Sequence, residues 1–182
     1  MFTPNELKRR ALDFSREHEN DLDEKSQAQT FWRDFFAIFG LTPQRIGVFE
    51  ARAKTLAGNV GFIDFFWPGT LLVEHKSRDK DLELALKQAL DYCSSGGLKE
   101  AELPRFIVVC DFDHFAVVEL ATGERADFPL DALHENLHRF NVILGYEQRR
   151  YKDEDPVNIQ AAELMGALHD ELRRVGYEGH PL

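Results

Sequence analysis

Gly61-Phe-Ile-Asp64-Phe-Phe-Trp67-Pro-Gly69-Thr-Leu-Leu-Val-Glu74-His-Lys76-Ser77 is the stretch on which the reading of this chain turns. Pro68-Gly69 marks a turn between two apolar runs. Residues 60–66 and Thr70 to Lys76 therefore read as adjacent strands, the second apolar until its last residues. Period-two alternation puts Glu74 and Lys76 on one face of that strand and His75 on the other. Asp64 lies ten residues before Glu74 on the neighbouring strand, so the turn lets the two carboxylates meet near the sheet's edge.

Two carboxylates meeting there repel unless a cation sits between them, and hard oxygen ligands suit Mg²⁺. A lysine beside such a site can orient a water or help deprotonate it, while the metal stabilises charge on phosphorus oxygens. The plainer alternative is an ion pair of Lys76 with Glu74 or Asp64 at a strand end. Acid-x-Lys occurs three times, at Glu6–Lys8, Asp23–Lys25 and Glu74–Lys76. The first two fall on helical segments, where residues two apart point in different directions. Only the third closes a buried strand.

Outward from this stretch, residues 4–19 read as a charged helix begun by Pro4. Residues 23–39 read as a second helix, its stripe built from Phe31, Phe35 and Phe39 with Trp32, Phe36 and Ile38, and ended by Gly40. Residues 45–53 read as a strand before the Gly58-Asn59 turn. A helix follows across about 80–93, with Leu82, Leu86, Ala89 and Leu90 on one face. Phe106 to Asp111 and Phe115 to Leu120 read as a strand pair, and residues 130–144 as a helix. The order implies an α/β domain, a mixed central sheet with helices packed on it. After Asp153-Glu-Asp-Pro156 a further amphipathic helix is expected at about 157–175.

With 182 residues and 43% hydrophobic content, the chain fits one domain, or one domain plus an appendage. No apolar run approaches a membrane span and the N-terminus is polar, so a soluble, cytoplasmic protein is expected. Cys93 and Cys110 lack metal or redox spacing. The net charge of −10, from 22 basic and 32 acidic residues, argues against a free-standing nucleic-acid binder. Divalent metal would neutralise part of that charge, and a larger polypeptide could supply affinity for DNA.

Taken whole, the stretch 61–77 resembles the nuclease motif of MmeI-like (type IIL/IIG) restriction–modification enzymes, with the flanking Trp-Pro-Gly and Lys-Ser in place. Gln27 to Phe36 is similar to that family's first core helix, Leu103 to Phe112 to its later strand, and Asn158 to Leu172 to the start of its helical spacer. The resemblance implies a restriction-endonuclease-like PD-(D/E)XK fold over residues 1–150, with residues 151–182 starting a spacer toward a methyltransferase domain. It implies a Mg²⁺-dependent endonuclease acting on double-stranded DNA, with Mn²⁺ able to substitute and a dimer possible on DNA. Asp64, Glu74 and Lys76 would be catalytic, and Asp64, Glu74 and the backbone carbonyl of His75 would hold metal. Ser77 and the Gln88-x3-Tyr92 pair, a pattern shared with RecB-like nucleases, would support the site. Glu24 and Glu50 compete as an extra acid contacting a metal-bound water. No methyltransferase motif and no S-adenosylmethionine loop is present. Methyltransferase and target-recognition domains would belong to the full-length protein.

Two other readings stand beside this one. A non-cleaving PD-(D/E)XK fold used for DNA binding or docking would suit the acidic charge. His134-Glu135-Asn-Leu-His138 matches the zinc-protease pattern, in which His at i and i+4 share a helix face, and Glu163 could serve as third ligand. The basic run Arg149-Arg150-Tyr151-Lys152 reads as a solvated linker or as a phosphate contact.

Overall fold

A computed structural model describes residues 2–144, all within the first of the chain's two units, residues 1–146. The expected spacer at 151–182, the basic run at 149–152 and Glu163 lie outside the described residues. No helix among the described residues is long and apolar enough to cross a membrane.

Six strands form one mixed sheet in sequence order: β1 (Val48–Lys54), β2 (Val60–Trp67), β3 (Leu71–His75), β4 (Phe106–Cys110), β5 (His114–Glu119) and β6 (Arg125–Pro129). Every pairing is antiparallel except β3 with β4, which is parallel. A parallel pair needs a crossover, and α4 (Leu82–Ser94) supplies it. This is the restriction-endonuclease-like arrangement: an antiparallel meander, a crossover helix and a parallel strand.

The other helices are α1 (Pro4–Glu17), α2 (Glu24–Ile38) and a single turn, α3 (Pro43–Ile46). α1 starts with a reciprocal Thr3–Glu6 capping box and Pro4 in the first turn, while Asp23 and Asp81 cap α2 and α4.

Both sheet faces are covered, which is why all five residues of β3 are buried and no polar alternation shows in its first three. On one face α1 and α2 pack an aromatic core with Phe65, Val73, Val108 and Phe115. On the other, Ala85, Leu86 and Ala89 of α4 meet Ile63, Leu72, Ile107, Val109 and Ala116. Leu71, Val73 and His75 thus face α2, and Leu72 and Glu74 face α4.

The β1–β2 ladder breaks this regularity at one place. Phe49 pairs with Phe65 and Ala51 with Ile63, but Glu50 and Asp64 between them are unpaired. Phe49 and Phe65 pack on the α2 side, whereas Ala51 and Ile63 pack on the α4 side. The ribbon therefore turns over at Glu50–Asp64, and Glu50 takes a left-handed backbone, φ 53°. Such a backbone costs a non-glycine residue about 1 kcal/mol or more.

Two expectations need correction, and one strand had none. Residues 130–144 form two 3₁₀ stretches, Leu130–Glu135 and Leu137–Leu144, rather than one α-helix, with Phe140 off helical geometry at φ −104°. Tertiary burial of Leu130, Leu133, Phe140 and Ile143 decides their path over helical propensity. The chain before Val48 is the α3 turn, not strand, because Pro43 opens a helical turn there. β6 has no counterpart in the sequence reading: Arg-Ala-Asp-Phe-Pro lacks an apolar run because it is an edge strand, blunted by charge and by Pro129.

Candidate active site

The β2–β3 ladder runs from Trp67↔Leu71 to Phe65↔Val73 and stops there. Beyond that point the strands part, and the Asp64 side chain fills the place of a ladder bond. Its Oδ2 accepts the His75 main-chain N–H at 2.6 Å. Glu74 is 1% exposed, and its Oε2 takes the Lys76 ammonium at 3.3 Å. The Glu74 Oε1 atom is buried with no hydrogen-bond partner. A buried, unpartnered carboxylate oxygen is costly to a fold, so it points to a group that completes it.

Electrostatics say the same. Burial pushes the Asp64 carboxyl up to about 6, although the His75 N–H works against this. Burial and the neighbouring Asp64 push Glu74 up to about 8. Burial lowers the Lys76 ammonium's pKa, but Glu74, Asp64 and Glu24 outweigh that and hold it charged. Lys76 is thus a fixed cation here, better suited to orienting water and phosphate than to taking a proton.

Glu24, at the start of α2, is tied reciprocally to Ser77: its Oε2 accepts the Ser77 N–H at 3.2 Å, and its own N–H donates to Ser77 Oγ at 3.4 Å. Glu24 and Glu50 line a cleft of about 180 Å³ with Lys25, Gln29, Trp32 and Asp64. Both acids raise the Asp64 carboxyl's pKa. The structure thus brings together Asp64, Glu74, Lys76, Ser77, Glu24 and Glu50.

Gln88 and Tyr92 do share a face, but the phenol does not present itself to solvent. Tyr92 is 2% exposed; its hydroxyl donates to the Phe62 carbonyl at 3.4 Å and accepts from Gln88 Nε2 at 3.1 Å. The pair fastens α4 to β2 two residues from Asp64. Gly61 makes room for it, since a Cβ there would stand 2.9 Å from Tyr92 Cε1 and closer still to the hydroxyl. Gly61→Ala is expected to lower stability by about 1–3 kcal/mol, measured as a fall in urea midpoint, with Tyr92→Phe showing a smaller loss.

The residues fit a hard divalent cation. Two carboxylates supply hard oxygen ligands, and one carboxylate oxygen is left without a partner. Among the described residues no three His, Cys, Asp or Glu side chains form a complete cage. Mg²⁺ does not need one, because it keeps several waters and substrate oxygens.

The zinc-protease spacing loses its geometric basis. His134 and His138 stand on separate 3₁₀ stretches, and each Nδ1 is engaged with the main-chain carbonyl three residues before it, Asp131 O at 2.8 Å and Glu135 O at 3.3 Å.

The family model described as MmeI, N-terminal domain, matches residues 8–175. The chain belongs to that family. Among curated relatives, DNA methyltransferase A of Bacillus subtilis (strain 168) is 27% identical over 94 residues, 52% of this chain and 10% of that protein. The cryo-EM structure of a DrdV–DNA complex overlaps 81% of this chain and 14% of its own, at 14% identity and a TM-score of 0.49. The chain therefore spans a small part of the length of both.

Sequence reasoning missed Trp32 and Phe112 as neighbours of the site. Trp32 sat in an apolar helix stripe indistinguishable from core. The only signal was His75, a polar side chain that alternation directs into an apolar interior.

Proposed function

We propose that this member of the MmeI N-terminal domain family is a Mg²⁺-dependent DNA endonuclease domain. The observation that carries the reading is the Asp64–Glu74–Lys76 cluster at the parting of β2 and β3, with Glu74 Oε1 buried and unpartnered. When bound, a divalent cation would supply Lewis-acid stabilisation of a phosphodiester in in-line hydrolysis. Asp64, Glu74 and the His75 carbonyl would hold it, and Mn²⁺ would substitute. Lys76 Nζ, kept charged by its acidic neighbours, would orient the attacking water and steady a phosphate oxygen. Glu24 and Glu50 would hold water at the cleft side of Asp64.

The net charge of −10 leaves affinity for double-stranded DNA to other parts of a longer restriction–modification polypeptide with methyltransferase and target-recognition domains. A dimer on DNA and a cytoplasmic location belong to the same reading. The same charge favours the second reading, a non-cleaving DNA-docking module.

Plasmid nicking with Mg²⁺ or Mn²⁺ tests the choice. Metal-dependent nicking is expected to fall by at least about a hundredfold in Lys76→Ala while Mn²⁺ binding persists. Nicking that survives in Lys76→Ala removes this active site. Neither nicking nor Mn²⁺ uptake by the unaltered protein leaves the docking module.

A further inference from the structure

His75 sits between the candidate catalytic groups Glu74 and Lys76, yet its side chain points away from them, fully buried against Phe31, Trp32 and Phe112. The Trp32 indole N–H donates to His75 Nδ1 at 3.0 Å. An indole can only donate, so Nδ1 is bare and the neutral ring carries its proton on Nε2. That Nε2 is buried with no partner. A buried unsatisfied donor destabilises the fold, and a leucine would avoid it. Phe112, whose ring centre lies 4.1 Å from that of His75, holds a left-handed backbone at φ 72°. For a bulky residue this backbone is strained. Two local penalties, one at His75 and one at Phe112, therefore meet at one contact, and packing alone does not explain them.

What they secure is visible in the main chain. The His75 N–H holds Asp64 of β2, the Lys76 N–H holds the Cys110 carbonyl of β4, and the Ser77 N–H holds Glu24 of α2. Three consecutive amides thus each grip a different element. Rotation of the backbone at residue 75 would swing Glu74 and Lys76 together and release Asp64. The side chain of residue 75 is the handle that prevents it.

We propose that His75, pinned by Trp32, is a positioning residue that sets where Asp64, Glu74 and Lys76 present their functional atoms. The inference rests on the nuclease reading and extends it to a buried hydrogen bond on the far side of the sheet. Outer partners that orient ligands typically change metal affinity or activity by about 10–100-fold when removed.

The test compares Trp32→Phe, His75→Leu and His75→Asn with the unaltered protein. Calorimetry with Mn²⁺ alone, kcat and KM for nicking of supercoiled plasmid, and Tm are read for each. Trp32→Phe is expected to weaken Mn²⁺ binding and lower kcat, each roughly tenfold, with KM for DNA within about twofold. His75→Leu should match it. His75→Asn, whose amide oxygen can stand near the place of Nδ1, should recover part of the loss. Should His75→Leu fail to fold, Trp32→Phe carries the test, since it keeps an aromatic ring in the cluster and removes the donor to Nδ1. Wild-type kcat and Mn²⁺ affinity in Trp32→Phe, whatever its Tm, overturn the proposal. An unaltered protein that neither binds Mn²⁺ nor nicks DNA sinks the nuclease reading first, and the positioning role with it.

Discussion

The Glu74→Gln variant is expected to lose metal-dependent DNA cleavage while making the metal-free protein more stable near pH 8. Glu74 is buried and its ordinary carboxyl value of 4.5 is pushed up to about 8, by burial first and then by Asp64. A group whose value is raised in the fold contributes stability that is fully present below its unfolded value. That contribution is lost as pH rises through the folded value, here between 4.5 and about 8. Asp64 acts in the same direction between 3.8 and about 6. His75 acts oppositely: burial pushes it from 6.5 down to about 3, so its contribution is present above 6.5 and fades as pH falls toward 3.

From these three groups metal-free stability should therefore peak at about pH 4, between the ordinary Asp64 and Glu74 values of 3.8 and 4.5, and Mg²⁺ should lift the alkaline arm alone. Glutamine at position 74 removes the charge that costs stability, a gain of roughly 2 kcal/mol once relaxation of the site is allowed for. That corresponds to a Tm rise on the order of 5 °C. Removing one group that stabilises developing charge lowers kcat by about a hundredfold or more. Calorimetric scans from pH 4 to 9, with and without Mg²⁺, check the first part, and plasmid nicking checks the second. A variant less stable than the unaltered protein throughout this range would mean that Glu74 is held by an unseen structural partner rather than kept for a cation.

The largest loss of stability is expected from Phe31→Ala. Phe31 is fully buried, and its ring meets those of Phe14, His18, Trp32, His75, Phe112 and Phe115 at centroid distances of 4.9 to 6.0 Å. It therefore joins α1, α2, the end of β3 and the β4–β5 turn. Truncating a buried phenylalanine costs about 3–5 kcal/mol. That is a large share of the roughly 5–15 kcal/mol that a domain holds in all. Chemical denaturation should show the loss as a lower midpoint with an unchanged slope. Phe31→Leu should cost markedly less, because most of the volume remains. Equal losses in the two variants would mean that ring-edge contacts, and not filled volume, hold this junction.

The sheet and its helices were legible where periodicity was strong. The Phe31–Phe35–Phe39 spacing gave α2, Thr70 to Lys76 gave β3, and alternation placed Glu74 and His75 on opposite faces, as found. Asp64 beside Glu74 followed from one short turn. Less regular segments were misread. Residues 130–144 carry helical spacing, yet follow 3₁₀ paths set by what they cover. β6 has almost no apolar pattern of its own and exists because β5 offers it a ladder.

Taken alone, the sequence determined which residues bear charge and chemistry, and which neighbours in the chain share a face. Those properties are local, spanning a turn or a strand. Only the tertiary structure decided that the β1–β2 ribbon turns over at Glu50 and Asp64, sending Asp64 to the His75 amide. It alone joined Glu24 to Ser77, 53 residues apart, and Trp32 to His75, 43 apart. Such contacts arise from packing two helix layers on a twisted sheet, and no local periodicity encodes which buried side chain will meet which.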